Sequence, residues 1–252
     1  MGTAHPGFAA LNPGYANHGL EWPPMNAQLL PCIEHETGAH PAAAVIWLHG
    51  LGADGNDFVP IVEEMRLPPA LSIRFVFPHA PVRPVTINAG MPMRAWYDIY
   101  AANLAERADM AGVKASQAQV EALIARERTR GIPARRIVVA GFSQGGAIAL
   151  YTGLRHAERL AGIVALSTYL VRSGDLAAEA SAANRDVPIF MAHGTVDPVV
   201  RLEWGDASQR ALIAAGYDVE WHTYGMPHAV VWEEIEAINA FIARVLPVTA
   251  RR

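Results

Sequence analysis

Cysteine is almost missing from this sequence. One residue in 252, Cys32, carries a thiol. That excludes an intramolecular disulfide framework, a CxxC redox pair and a cysteine-rich zinc cluster, and leaves Cys32 as a small core residue. A cytoplasmic address fits this usage, although one thiol also suits the periplasm. An excess of positive charge is missing too: 20 Lys and Arg against 24 Asp and Glu give a net charge of −4. No basic footprint for nucleic acid is expected. There is no uninterrupted apolar run long enough for a membrane span, because the most apolar stretch, 137–154, contains Ser143, Gln144 and four glycines and reads as strand, turn and buried helix. The first fifteen residues lack a basic segment followed by an apolar one, and Pro6 stands where a myristoylation signal needs Ser or Thr. No HExxH occurs and the histidines lack ligand spacing, so neither a metal nor a cofactor is expected.

What is present is core-forming material, 52% hydrophobic and 17% charged residues, enough for one large α/β domain or two small ones. Residues 1–27 stand apart as an extended or disordered arm: four Pro and four Gly fall within the first 24 positions and no Val or Ile precedes Ile33. Phe8, Tyr15 and Trp22 are its docking candidates, and Met25 is an alternative start. Beyond the arm, short apolar runs alternate with longer amphipathic ones. The strands expected are Gln28–Ile33, Ala44–Leu48, Ile73–Phe77, Ile137–Ala140, Gly162–Leu166, Ile189–Ala192 and Val219–Tyr224. Several are continuous Val/Ile/Phe runs, as strands covered on both faces require. Val113, Val120, Leu123 and Ile124 set a helical stripe ending at Gly131; Ile235, Ile238, Phe241, Ile242 and Val245 set another, stopped by Pro247. The alternation predicts right-handed βαβ units, hence an α/β fold with a doubly wound, mostly parallel sheet. No repeat or linker divides it, so 28–247 is expected to form one domain, with 248–252 a tail. The Pro-, Met- and aromatic-rich stretch Pro78–Tyr100 reads as a long structured loop.

One motif carries chemistry. Gly141-Phe142-Ser143-Gln144-Gly145 fits G-x-S-x-G, a cheap pattern by itself, but it follows an apolar run and opens a small-residue helix start. Strand, tight turn and helix are the setting of a nucleophile elbow. A serine hydroxyl needs a general base, and in this fold the chain order is Ser, then acid, then His. That order leaves His222 and His228. His222 lies inside a strand and reads as an ordinary strand histidine, whereas His228 follows Gly225-Met226-Pro227 in a strand-end loop and is the candidate base. Asp197, in the loop after Ile189–Ala192, is the candidate acid; Asp175, Asp186, Asp206 and Asp218 fall where caps and solvated faces explain them. His49-Gly50-Leu51-Gly52-Ala53-Asp54-Gly55 follows another apolar strand. Its glycine spacing also matches G-x-G-x-x-G, but no acidic residue closes a second strand about twenty residues on. An oxyanion hole from the N–H groups of Leu51 and Gln144 fits better.

These stretches together resemble the carboxylesterase/acyl-protein thioesterase (phospholipase/carboxylesterase) family of α/β-hydrolases. The matching segments are Trp47–Gly52, Pro84–Asn88 with Arg94–Asp98, Gly141–Gly146, His193-Gly194 with Asp197-Pro198, and Tyr224–Met226 with His228, in family order from about residue 28 to 245. The resemblance implies an α/β-hydrolase fold without a separate cap domain and hydrolysis of short-to-medium acyl esters and thioesters by Ser143, Asp197 and His228 through an acyl-enzyme. It places Met93, Trp96, Tyr169 and Leu170 near the acyl channel. It implies a small-molecule ester or thioester as partner, with a homodimer as a further expectation and no membrane anchor, since the lipidated N-terminal cysteine of membrane-acting members is lacking. The departures are the arm and Arg201, where the family often has Pro. The competing readings are a non-catalytic binding protein on the same fold, or a peptidase, lactonase or acyltransferase.

Overall fold

The computed structural model describes residues 29–100 and 108–248; the expected arm, with Phe8, Tyr15 and Trp22, and residues 249–252 lie outside them. The core begins with β1 (Cys32–Glu36), β2 (Ala43–Leu48), α1 (Val59–Glu64) and β3 (Ile73–Pro78). Every residue of β2 and β3 is buried, which is why they read as unbroken apolar runs. After a two-stranded ribbon of β4 (Val82–Val85) and β5 (Met91–Arg94) come α2 (Met110–Thr129), β6 (Ile137–Phe142), α3 (Gln144–Arg155), β7 (Gly162–Leu166) and α4 (Leu176–Glu179). The chain closes with β8 (Ile189–Gly194), α5 (Leu202–Ala214), β9 (Val219–Tyr224) and α6 (Trp232–Val245).

Seven strands form one sheet in the order β1-β3-β2-β6-β7-β8-β9. β1 pairs antiparallel with β3, and the other neighbours run parallel. Ala43, Val45 and Trp47 face α1 and α6, packing in one core with Ile61, Ile238 and Phe241. Ala44, Ile46 and Leu48 point the other way, into a core shared with Leu123 of α2, Ile148 of α3 and Leu212 of α5. The fold is thus the doubly wound, mostly parallel α/β arrangement expected. α2 is capped by Asp109, whose carboxylate accepts from the Gly112 N–H at 2.9 Å, and ends at Gly131 with φ +93°. No helix among the described residues is long and apolar enough to cross a membrane.

Several boundaries differ from the sequence-based expectation, those of β2 and β3 by one residue each. The first strand is Cys32–Glu36, not Gln28–Ile33. Its Glu34 and Glu36 hide it from an apolar-run search, yet they suit a sheet edge because Arg74 of β3 reaches Glu36 at 2.8 Å and Glu127 of α2 at 2.7 Å. β6 and β8 each run two residues further, to Phe142 and Gly194, because parallel pairing continues into the motifs that follow. Residues 78–100 are not all loop: β4 and β5 pair with Pro84 opposite Pro92, tolerated because a two-stranded ribbon has two free edges.

Candidate active site

The chain lays β2, then β3 on one side of it, and later β6 on the other, so the strand order reverses between β2 and β6. The loops at the C-terminal ends of those strands diverge there, leaving the crevice where ligands bind in open α/β sheets. Leu48 of β2 pairs with Gly141 of β6, so His49-Gly50-Leu51 and Phe142-Ser143-Gln144 leave the sheet side by side.

Ser143 alone joins β6 to α3, with φ 56° and ψ −121°. Such a conformation costs a non-glycine residue about 1–3 kcal/mol and must be held. The holding is visible: its N–H donates to Leu166 O at 2.8 Å, and its carbonyl accepts from Ala147 N at 3.1 Å and Thr168 Oγ1 at 2.6 Å. The turn leaves no room beside it. A Cβ at Gly141 would meet Gly145 O at 2.3 Å, and one at Gly145 would meet Leu48 O at the same distance. The G-x-S-x-G spacing is therefore a steric requirement. Ser143 occupies the N-cap position but its side chain makes no capping hydrogen bond, unlike an ordinary serine cap. Its hydroxyl stays uncommitted at the positive end of a twelve-residue helix.

Asp197 has no exposed side-chain surface. Its Oδ1 accepts from the N–H groups of Val199 (2.8 Å) and Val200 (2.9 Å), and its Oδ2 accepts from His228 Nδ1 at 2.7 Å. That bond leaves Nε2 of His228 as the free nitrogen. The His228 ring packs at 4.6 Å on Phe142, the residue before the serine. The closeness of the Asp197 and His228 loops depends on Gly194, where a Cβ would strike Met226 O at 2.3 Å and Pro227 O at 2.5 Å. No hydrogen bond joins Ser143 Oγ to His228 among the described residues; such bonds often close only around substrate. His193 lies 3.7 Å from the same carboxylate, but its Nε2 donates to Val200 O at 2.8 Å and burial holds its pKa below the usual range. It stays neutral and ties down the turn. His222 is remote from this cluster, hydrogen-bonded to Glu220 at 3.0 Å and stacked on Phe190.

The other loop is stitched from below. His49, buried and pushed toward the neutral form by that burial, donates from Nδ1 to Gly50 O at 2.7 Å and accepts the Ala80 N–H on Nε2 at 3.0 Å. Trp96 Nε1 donates to His49 O at 2.9 Å. Gln144 uses its side chain inward: Oε1 accepts from Trp96 N at 2.8 Å and Nε2 donates to Tyr97 O at 2.7 Å. The amide side chain fixes the wall, while the Gln144 backbone N–H sits at the start of α3 beside Ser143.

Leu51, Ser143, Gln144 and Tyr169 line one cavity of about 630 Å³, together with Ile87, Asn88, Ile99, Pro198, Val199, Val200, Arg201 and Trp204. Of the four residues expected at an acyl channel, Tyr169 is on this lining, its hydroxyl 2.6 Å from that of Tyr97; burial pushes the Tyr169 phenol up to about 12, so it stays protonated. The other three are not on it. Trp96 and Leu170 are buried behind the wall, and Met93 is engaged by the Asn88 side chain at 3.2 Å. Sequence reasoning missed Ile99, Val199, Val200 and Trp204 as lining residues, whose positions follow from tertiary packing; Ile87, Asn88 and Pro198 lay in quoted motifs but were given no place on the wall.

A family model described as Phospholipase/Carboxylesterase matches residues 31–246. Acyl-protein thioesterase 1 of Neurospora crassa is 43% identical over 237 residues, covering 90% of this chain and 94% of the relative. The Mycosarcoma maydis acyl-protein thioesterase 1 is 40% identical over 230 residues, covering 85% and 96%. Among solved structures, the crystal structure of Zea mays acyl-protein thioesterase 2 superposes with a TM-score of 0.73 at 32% identity, covering 85% of this chain and 99% of that one.

Proposed function

The chain belongs to the phospholipase/carboxylesterase family and is a hydrolase of the esterase and thioesterase class, and on that premise we propose that it cleaves short-to-medium acyl esters and thioesters with Ser143, His228 and Asp197 through an acyl-enzyme. The observation that carries this reading is the strained, uncapped Ser143 beside an Asp197–His228 pair bonded at 2.7 Å. With Nδ1–H committed to Asp197, Nε2 of His228 presents its lone pair and takes the Ser143 proton as Oγ attacks the acyl carbon. Asp197 stabilises the imidazolium so formed. The N–H groups of Leu51 and Gln144, both on the cavity lining, receive the oxyanion. His228 then protonates the departing alkoxide or thiolate, and water repeats the sequence on the acyl-serine.

The lining favours acyl chains over peptides. Leu51, Ile87, Ile99 and Val199 offer apolar area, worth about 0.8 kcal/mol per methylene buried, whereas amide cleavage needs a clamp holding an extended peptide in register. We read residues 28–247 as the catalytic unit, acting without a cofactor on small-molecule substrates in the cytoplasm. The test is Ser143→Ala, expected to fold normally and lose about 10⁴-fold or more in kcat, with a fluorophosphonate labelling Ser143 alone in the parent. Matched anilides are expected to be about 10³-fold slower than esters, on the order of 4 kcal/mol in barrier. Labelling at another serine, or anilides within tenfold of esters, overturns the triad or the reaction class respectively.

A further inference from the structure

Among the described residues, Arg201 is the one charged residue on the lining of the cavity that Ser143 faces. It is exposed, and no carboxylate among the described residues lies within ion-pairing distance of it. Two other arginines, by contrast, are committed: Arg94 donates to Ala80 O at 2.9 Å, and Arg172 pairs with Asp175 at 2.8 Å. Glu203, two residues on in the first turn of α5, forms no ion pair with Arg201. The Arg201 guanidinium lies over the Trp204 ring, its carbon 6.0 Å from the ring centre, and Trp204 is itself on the lining. A guanidinium beside an indole face is partly pre-oriented and keeps its fork of donors for a ligand. Among the described residues, no group other than the Trp204 ring engages this cation.

We propose that Arg201 is a specificity residue that selects substrates carrying a carboxylate or phosphate near the scissile acyl bond. This rests on the hydrolase reading above and adds the charge of the substrate. The whole chain bears −4, which disfavours anionic ligands at long range. A cation on a cavity wall whose other described residues are neutral reverses that locally, since low-dielectric walls focus its field. A bidentate pair with a carboxylate or phosphate then supplies a charge-assisted hydrogen bond. The anion belongs to either the acyl chain or the leaving group, and the two are separable by experiment.

The experiment measures kcat/KM on two matched pairs with the full chain. One pair is mono-p-nitrophenyl adipate against p-nitrophenyl hexanoate, with the charge on the acyl side. The other is the hexanoyl thioester of 3-mercaptopropionate against that of 1-butanethiol, with the charge on the leaving side. The parent is expected to favour the anionic member of one pair; Arg201→Gln lowers that anionic-to-neutral ratio about tenfold, the worth of one hydrogen bond to a charged group. Arg201→Lys restores part of the ratio, and about 0.5 M salt shrinks it in the parent. The responding pair identifies which side carries the anion. A ratio unchanged by Arg201→Gln in both pairs overturns the assignment, even with neutral esters turned over. If the parent hydrolyses neither member of either pair, the hydrolase reading fails and the Arg201 assignment falls with it.

Discussion

Asp197→Asn is the substitution whose outcome the structure determines most fully. Asparagine matches aspartate in shape, so the question is which way the amide points. The site of Oδ1 faces two backbone donors, Val199 N at 2.8 Å and Val200 N at 2.9 Å. Placing an NH₂ there would lose two hydrogen bonds and leave buried donors facing a donor, at about 1–3 kcal/mol each. The oxygen therefore takes that side, and the NH₂ is driven onto His228 Nδ1, where Oδ2 now accepts at 2.7 Å. His228 must accept with Nδ1, which moves its proton to Nε2. A ring with Nε2–H offers Ser143 a donor instead of a base. Tautomer reversal of this kind is worth about 10⁴ in kcat, or roughly 5 kcal/mol. The fold should lose only the charge assistance of those bonds, about 1–2 kcal/mol, or a fall of a few degrees in Tm. The assay is p-nitrophenyl butyrate turnover with a thermal melt on the same preparation, and fluorophosphonate labelling should slow in parallel. An asparagine variant within tenfold of the parent would refute the reasoning. So would a collapse in Tm of more than about 15 °C, since the loss would then be structural.

Two further outcomes follow from neighbouring geometry. His228→Ala should abolish turnover while His222→Ala costs less than about tenfold, because only the loop histidine touches Asp197; the opposite ranking in a kcat comparison would contradict that placement. Glu234, fully buried under the first turn of α6, is pushed up to about 8 by burial. The folded state keeps this proton where the unfolded chain releases it near pH 4.5, so its stabilising contribution is complete below that pH and is lost as pH rises toward 8. Denaturant melts across pH 5–8 should show that decline in the parent and a flatter profile in Glu234→Gln; parallel profiles would contradict it.

The covered strands were legible because burial on both faces leaves no alternation to confuse: β2, β3, β6, β7 and β8 all announced themselves as Val/Ile/Phe runs. β1 did not, because an edge strand pairs through its backbone and lets Glu34 and Glu36 seek Arg74. The β4–β5 ribbon escaped because its four-residue strands carry prolines that argue against sheet. At the candidate site, chain order narrowed the base to His222 or His228, and placement in strand-end loops then singled out the residues now found as the Asp197–His228 pair beside Ser143. Gly194 was named only within a motif, and its reason, two carbonyls where a Cβ would go, exists only once the loops meet. The cavity wall was least legible: Trp96 has the composition of a lining residue, but its ring nitrogen is spent on His49 O, which turns it into the core.

The pairing of Leu48 with Gly141 also bears on when this enzyme becomes active during its own folding. The strands that flank the crevice are parallel neighbours separated by more than a third of the chain. Closing so long a loop is slow, because its entropy is lost before any contact compensates. The loop after β2 and the turn after β6 cannot converge until that closure is complete, and Asp197 and His228 follow strands that lie later still in the chain. Partly folded chains, including those emerging from the ribosome, therefore hold the serine and the histidine without a working arrangement of them. On the proposed triad, catalysis is confined to molecules whose central sheet is already finished.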